Sequence, residues 1–231
     1  MKEEWIRYFL AYAKTPEFRR KVKQTREFLD RELTGKKAYL AFSGGKDSTI
    51  LLHMVGKRVT VVYWYAGRYY IPDDLHEEIL QIAREYGREV REYTSREYEI
   101  KKRNAINVKG KVFLGVVVPE LAKEFDVAIV GLRAEESVKR KLKRKVETVK
   151  GIRTIYPLLD WTWKDVWAYI VSNNVRYISY YDRYGDVLGF DKVRFCSLFY
   201  PGFDRFGAQN VDGVLSWRFK NIETAKYDQS H

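Results

Sequence analysis

The chain has 231 residues and a mass of 27.5 kDa, which fits one large domain or a core domain with helical additions. Its hydrophobic share of 45% is enough for a sizeable core, but no uninterrupted apolar stretch reaches the roughly 20 residues of a membrane helix. The 43 basic and 31 acidic residues give a net charge of +12, which favours polyanionic partners: one small polyphosphate or sulfonucleotide, or an RNA backbone.

The single cysteine, Cys196, excludes an intrachain disulfide, and the chain lacks the further cysteines that an iron–sulfur cluster needs. The N-terminus has no apolar run of the signal-peptide type, so we expect a cytoplasmic protein. Abundant Lys, Glu, Arg and Tyr with scarce Gln and Cys resemble the composition of proteins from hot environments, so part of the charge would serve stability. A homo-oligomer is compatible with this composition.

The chain begins with an amphipathic helical segment at residues 1–35, interrupted near Pro16. A short apolar strand at 38–42 then ends in Gly44-Gly45, and a helix at 49–55 follows and stops at Gly56. This order is strand, glycine turn, helix.

The same alternation continues toward the middle of the chain. We predict, in order, a strand at 59–65, a helix at 73–86 entered through Pro72, a strand at 89–93, a helix at 111–125 and a strand at 127–130 that ends at Gly131. Such alternation predicts an α/β fold: a Rossmann-like parallel sheet with helices on both faces. Parallel sheets bind ligands beyond the carboxyl ends of their strands, where the loops at Ser43 and Gly131 lie.

The last third of the chain is less regular. A basic run at 139–150 is either a solvated, mobile segment or a flap that closes over a polyphosphate. We predict a fifth strand at 154–158, a helix at 162–172 capped by Thr162, and an irregular C-terminal addition. The division is therefore 1–35, an N-terminal helical segment; 36–175, a nucleotide-binding core; and 176–231, an extension packed on that core within one structural domain.

The turn between the first strand and its helix carries the clearest chemistry. Two glycines can point successive backbone N–H groups at one spot, and the helix behind them adds its positive end. Lys46 supplies a full positive charge, and two hydroxyls supply donors. Asp47 would be repelled by phosphates unless it holds Mg²⁺ or caps the helix. The candidate phosphate-binding residues are Ser43, Gly44, Gly45, Lys46, Asp47 and Ser48.

These six residues resemble the PP-loop of the adenine nucleotide alpha hydrolase superfamily, which binds a pyrophosphate or phosphosulfate group. Two further motifs are similar to those of phosphoadenosine phosphosulfate (PAPS) reductase relatives. The first is Gly-x-Arg-x-x-Glu-Ser-x-x-Arg at residues 131–140, and the second is Pro-Leu-x-Asp-Trp-Thr at residues 157–162. The three motifs occur in the expected order and span residues 38–182, which is most of the chain.

The resemblance implies that the bound ligand is an adenine nucleotide, either ATP or a sulfonucleotide, with Mg²⁺. It adds nucleotide-binding roles for Gly131, Arg133, Glu136 and Ser137, and catalytic roles for Lys46, Asp47, Arg133 and Arg140. Both arginines can offer planar forks to phosphate or sulfate oxygens, although a surface salt bridge to Glu135 or Glu136 is an alternative for Arg133. Asp160 would cap the following helix or orient a ligand-binding arginine.

The chain also departs from the family pattern. Reductases attack the sulfonucleotide with a thiolate on a C-terminal Glu-Cys-Gly-x-His segment, which is absent here. Where relatives have an Asp-Thr-Gly turn, this chain has Tyr65-Ala66-Gly67-Arg68. Cys196 is the one thiol that could act as a nucleophile, and buried packing is its alternative role. His53, His76 and His231 lack metal-ligand spacing, so we expect them to be structural or exposed.

Four functions remain open. The first, favoured by the cysteine count, is α–β phosphate chemistry on ATP with release of pyrophosphate. The second is thiol-dependent reduction of PAPS or adenosine phosphosulfate (APS) through Cys196. The third is modification of tRNA by an ATP pyrophosphatase, with the basic run binding the RNA backbone. The fourth is a binding protein that kept the nucleotide cradle without catalysis.

Overall fold

The computed structural model describes residues 1–65, 71–94 and 109–195. In this part of the chain the helices are α1 (Glu3–Ala13), α2 (Pro16–Leu33), α3 (Lys46–Val55), α4 (Asp73–Tyr86), a π-helix (Lys109–Val117), α5 (Val118–Leu121), α6 (Val138–Lys141), α7 (Trp163–Ser172) and α8 (Tyr180–Leu188). The strands are β1 (Ala38–Phe42), β2 (Thr60–Trp64), β3 (Glu89–Tyr93), β4 (Val127–Val130), β5 (Val146–Val149) and β6 (Ile152–Ile155).

The strands form one sheet in the order β3-β2-β1-β4-β6-β5. All neighbouring pairs are parallel except β5 and β6, which are antiparallel. At the centre, Ala41 of β1 is level with Val62 of β2 and with Val130 of β4. Strand β2 is buried along its whole length, as expected for a strand covered on both faces.

Helical structure lies on both faces of the sheet. Successive strand residues point to opposite faces: Tyr63 stacks on His76 of α4, whereas Trp64 contacts Phe113 of the π-helix. The predicted α/β class, with a largely parallel sheet between helices, is therefore confirmed.

The N-terminal helices pack closely on the core. Phe9 of α1 is fully buried against Trp167 of α7 and Phe190. From α2, the Thr25 hydroxyl accepts a hydrogen bond from the indole N–H of Trp161 at 2.9 Å. Helices α1 and α2 thus complete the hydrophobic core.

For the basic run at 139–150, expected as a solvated, mobile segment or a flap, the structure shows regular elements that the sequence did not predict. Its first residues belong to α6, and its last form β5, an edge strand that pairs with β6 through a turn containing Lys150 and Gly151. Both turn residues have positive φ angles, 53° and 87°. Because the pattern of charges hides the alternation of the strand, the hairpin was not foreseen.

Other boundaries also differ from the prediction. The predicted helix at 111–125 is a π-helix followed by α5, which ends at Leu121, and α3 begins at Lys46 instead of residue 49. The fifth strand, expected at 154–158, is β6 at Ile152–Ile155. Helix α8 lies in the segment that was expected to be irregular.

Candidate functional site

The turn between β1 and α3 is held in shape by its own hydroxyl groups. The Ser48 and Thr49 hydroxyls donate to the Gly45 carbonyl oxygen at 2.9 and 3.1 Å. Gly44 has φ +77°, and a Cβ there would lie 2.5 Å from Ile79 of α4, so only glycine fits this position. This turn and the first turn of α3, residues 43–48, are called the phosphate loop below.

The loop after β4 lies directly against the phosphate loop. A Cβ on Gly131 would lie 2.9 Å from the backbone nitrogen of Ser48, so the two backbones approach as closely as glycine allows. Since β1 and β4 are parallel neighbours, both loops lie at the carboxyl edge of the sheet. The structure therefore brings Gly131 and the six phosphate-loop residues together.

Arg133, two residues further, links the same two loops. Its side chain is 1% exposed, and its Nε donates to Asp47 Oδ1 at 2.9 Å. Its Nη1 contacts Glu135, and its Nη2 donates to Glu136 at 3.4 Å. The expected alternative placed Arg133 in a surface salt bridge; the ion pairs exist, but the guanidinium itself is buried, whereas Glu135 is 30% exposed. This guanidinium is therefore directed at carboxylates, and not open to solvent as a fork for phosphate oxygens.

The remaining residues of the second motif are joined to this cluster. The Arg140 guanidinium pairs with Glu136, and the Ser137 hydroxyl accepts the Arg140 backbone N–H at 3.3 Å, which caps the short helix α6. The side chain of Arg140 is 33% exposed. Of the two arginines, Arg140 is thus the one with surface available to a ligand.

Lys46 lies beside the C-terminal part of the described chain. Its Nζ donates to the Val193 carbonyl oxygen at 3.0 Å and lies 5.4 Å from the ring centroid of Tyr181. The Tyr181 hydroxyl accepts the Lys46 backbone N–H at 3.0 Å. Sequence reasoning missed Tyr181, because nothing local places a residue of α8 against a loop 135 positions earlier.

A cavity of about 310 Å³ begins at the phosphate loop and runs over the sheet face. Ser43, Ser48 and Gly131 lie among its lining residues. Its walls are largely apolar and aromatic, with Tyr39, Phe42, Trp64, Phe113 and Tyr156 among the contributors. Its volume is near the lower end of the range for small-molecule sites, and flat apolar walls suit a planar ring.

Two tyrosines of the cavity keep their protons at neutral pH. Burial raises the pKa of Tyr39 to about 12, with Tyr93 as a lesser cause. Burial also raises the pKa of Tyr156, while the neighbouring Lys143 acts in the opposite direction. Both hydroxyls therefore stay protonated at neutral pH, and that of Tyr156 already interacts with Glu147 and Lys143.

Several predicted residues lie away from this site. Asp160 was expected to cap a helix or to orient an arginine, but it pairs with Lys145 at 2.9 Å, and the capping box of α7 consists of Thr162 and Asp165. His53 contacts the Tyr169 hydroxyl, and His76 stacks on Tyr65. Cys196, His231 and most of the segment Tyr65-Ala66-Gly67-Arg68 lie outside the described residues.

The same part of the chain shows neither a metal-binding cluster nor a membrane segment. Within residues 1–65, 71–94 and 109–195, no group of three or more His, Cys, Asp or Glu side chains could hold a metal ion. No helix among these residues has the length and apolarity to cross a bilayer. In the phosphate loop, the candidate metal ligand is Asp47, which is the one carboxylate of that loop.

Comparison with known proteins gives a family match and partial relatives. The family model described as the phosphoadenosine phosphosulfate reductase domain matches residues 37–211. Adenosine 5'-phosphosulfate reductase of Oceanobacillus iheyensis is 46% identical over 58 residues, 24% of each chain. The enzyme of the same name from Anoxybacillus flavithermus is 39% identical over 61 residues, again 24% of each chain. The matched segments thus span about a quarter of these relatives.

Among solved structures, a similar one is the phosphate complex of phosphoadenylyl-sulfate reductase from Candida auris. It has a TM-score of 0.51 and 19% sequence identity, and the match covers 79% of this chain and 92% of that one. At this identity the likeness concerns the fold alone.

Proposed function

The chain belongs to the phosphoadenosine phosphosulfate reductase domain family, and from this premise we propose that it is an enzyme acting on an adenine nucleotide. The phosphate loop would hold the phosphate or phosphosulfate group, and the aromatic cavity would hold the adenine ring. The observation that carries the proposal is the continuity of the two: Ser43 and Ser48 belong to the loop and also line the cavity.

The reaction that we favour is attack on the α-phosphorus of ATP by an oxyanion of an acceptor. A new P–O bond forms, the α–β bond breaks, and pyrophosphate leaves with the electron pair. Lys46, Arg140 and the N-terminal end of α3 would stabilise the departing charge. Mg²⁺ would be held mainly by the phosphates themselves, because Asp47 is engaged by Arg133.

Reduction of a sulfonucleotide is the second candidate, since the relatives named above are adenosine 5'-phosphosulfate reductases. It requires a thiolate, and Cys196 would have to supply it. The Cys196→Ser variant separates the two reactions: reduction of APS or PAPS to sulfite would be abolished, whereas release of pyrophosphate from ATP would be unchanged.

Nucleotide binding is tested by calorimetric titration with ATP, APS and PAPS, each with and without Mg²⁺. We expect Lys46→Ala to weaken binding at least tenfold, a loss of about 1.4 kcal/mol, because the loop loses its cation. Lys57→Ala is the matched control, since Lys57 is exposed just beyond the far end of α3. Equal affinities of Lys46→Ala and the wild-type chain would refute the proposal.

RNA modification is a third candidate, favoured by one observation. Lys139, Lys141 and Arg144 are exposed, and their side chains form no ion pair within the described residues, whereas Lys143 pairs with Glu147. Reversal of the three exposed charges to Glu should weaken tRNA binding and lower its salt dependence by about three units of slope. The Lys57→Glu variant controls for net charge. Unchanged tRNA affinity in the triple variant would remove this candidate.

A further inference from the structure

Three carboxylates surround one buried guanidinium between the two loops of the site. Glu135 and Glu136 come from the same loop as Arg133, but Asp47 comes from the phosphate loop. The contact with Asp47, at 2.9 Å, is therefore the one that joins the loops. Gly131, packed against the Ser48 backbone, brings the loops close enough for this contact.

Within the described residues, Asp47 has one cationic partner, Arg133, at 2.9 Å. Of the three carboxylates, Asp47 belongs to the phosphate loop itself. A carboxylate without a cationic partner there would repel a polyanion, and the partial positive charge of the α3 N-terminus would be offset.

We propose that Arg133 is a positioning residue, which holds Asp47 and masks its charge from the bound phosphates without contacting the nucleotide itself. The proposal rests on the nucleotide site proposed above. Its support is the burial of Arg133, 1% exposed, together with the direction of its three donor atoms toward carboxylates. Lys46 is also buried, at 3% exposed, but its Nζ donates to a carbonyl oxygen, so the feature that distinguishes Arg133 is the direction of its donor atoms toward carboxylates.

The test is a comparison of Arg133→Met with and without Asp47→Asn, using inorganic pyrophosphate and ATP as probes in calorimetry. Arg133→Met should weaken pyrophosphate binding about tenfold, because Asp47 is left charged beside the phosphates. Adding Asp47→Asn should restore the affinity to within about threefold of the wild-type value. Glu135→Gln is the matched control, since Glu135 contacts the same guanidinium from outside the phosphate loop: added to Arg133→Met, it should restore nothing.

Failure of recovery would overturn the inference: if Arg133→Met/Asp47→Asn binds as weakly as Arg133→Met, the arginine is a direct ligand. If the wild-type chain binds neither probe, the nucleotide site itself is refuted, and the inference falls with it. Circular dichroism verifies the fold of each variant. Should Arg133→Met not fold, Arg133→Lys replaces it, with a loss of about threefold and the same recovery by Asp47→Asn.

Discussion

At the scale of single residues, the site depends on how closely two loops approach each other. The backbone angles of Gly131 do not by themselves require glycine. However, an added methyl group would meet the backbone of Asp47 and Ser48 at 2.9–3.2 Å. Backbone atoms cannot move aside as a flexible side chain can. The glycine is therefore required by the packing of the loops.

We expect Gly131→Ala to destabilise the chain by about 1–3 kcal/mol and to weaken nucleotide binding at least tenfold, because α3 must shift. Gly151→Ala is the matched control. Gly151 has φ +87° with open space around it, so the variant should cost about 1 kcal/mol of backbone strain without altering nucleotide affinity. Urea unfolding and calorimetry measure both effects, and normal nucleotide affinity in Gly131→Ala would contradict the packing argument.

His53 of α3 gives the protein a dependence on pH. Burial, and secondly the charge of Arg26, lower the pKa of this histidine in the folded chain. The unfolded chain therefore binds more protons below about pH 6.5. The contribution of neutral His53 to stability is fully present above that pH and is lost as the pH falls toward the folded-state pKa. In His53→Gln, the decrease in unfolding free energy between pH 6.5 and 5 should be smaller. An identical pH profile would show that other groups are responsible.

At the scale of secondary-structure elements, one buried carboxylate holds three helices together. Asp165, in the first turn of α7, is fully buried and accepts hydrogen bonds from Lys21 of α2 at 2.7 Å and Tyr12 of α1 at 3.0 Å. It also accepts the backbone N–H of Thr162 at 2.7 Å. The same carboxylate therefore caps α7 and attaches the N-terminal helices to it.

Asp165→Ala should lower the free energy of unfolding by about 3–5 kcal/mol, because a partly buried ammonium group and a hydroxyl lose their partner. Thr162→Ala is the milder control, since it removes only a cap hydroxyl, and about 1 kcal/mol is expected. Chemical denaturation of the two variants checks the ranking. A loss in Asp165→Ala no larger than that in Thr162→Ala would mean that the contacts with α1 and α2 contribute little.

The sequence predicted elements well where the pattern was local. The sequence alone reveals the apolar runs of β1, β2 and β4 and the Thr162 cap, because burial on both faces of a sheet and helix capping each depend on adjacent residues. The contacts that complete the site were not predictable in this way. Asp47 meets Arg133, and Lys46 meets Tyr181, across 86 and 135 positions of the chain. The pairing of β1 with β4 brings the first two together, and the packing of α8 brings the second two together. The hairpin β5–β6 was missed because β5 has only four residues and lies inside the basic run.

At the scale of the whole molecule, aromatic residues extend the hydrophobic core from the N-terminal helices to the sheet. Trp5 and Phe9 of α1 contact Trp163 and Phe190, while Trp64 lies near the cavity on the sheet. Residues on both sides of this contact belong to a single buried cluster. Stability should therefore be shared between the two parts.

We expect thermal unfolding to be one cooperative transition, with tryptophan fluorescence and far-UV circular dichroism giving the same midpoint. Each midpoint should rise when ATP or APS is present at about 100 times its dissociation constant, where binding adds about 2.7 kcal/mol. A fluorescence transition at a clearly lower temperature would instead indicate that α1 and α2 separate from the sheet first.

The hydroxyl bonds from Ser48 and Thr49 to the Gly45 carbonyl have a thermodynamic consequence. These internal bonds fix the curvature of the turn, so the loss of backbone freedom there takes place during folding and not during association. An arriving anion meets a rigid receptor, and its residence time, more than its rate of capture, should then distinguish good ligands from poor ones.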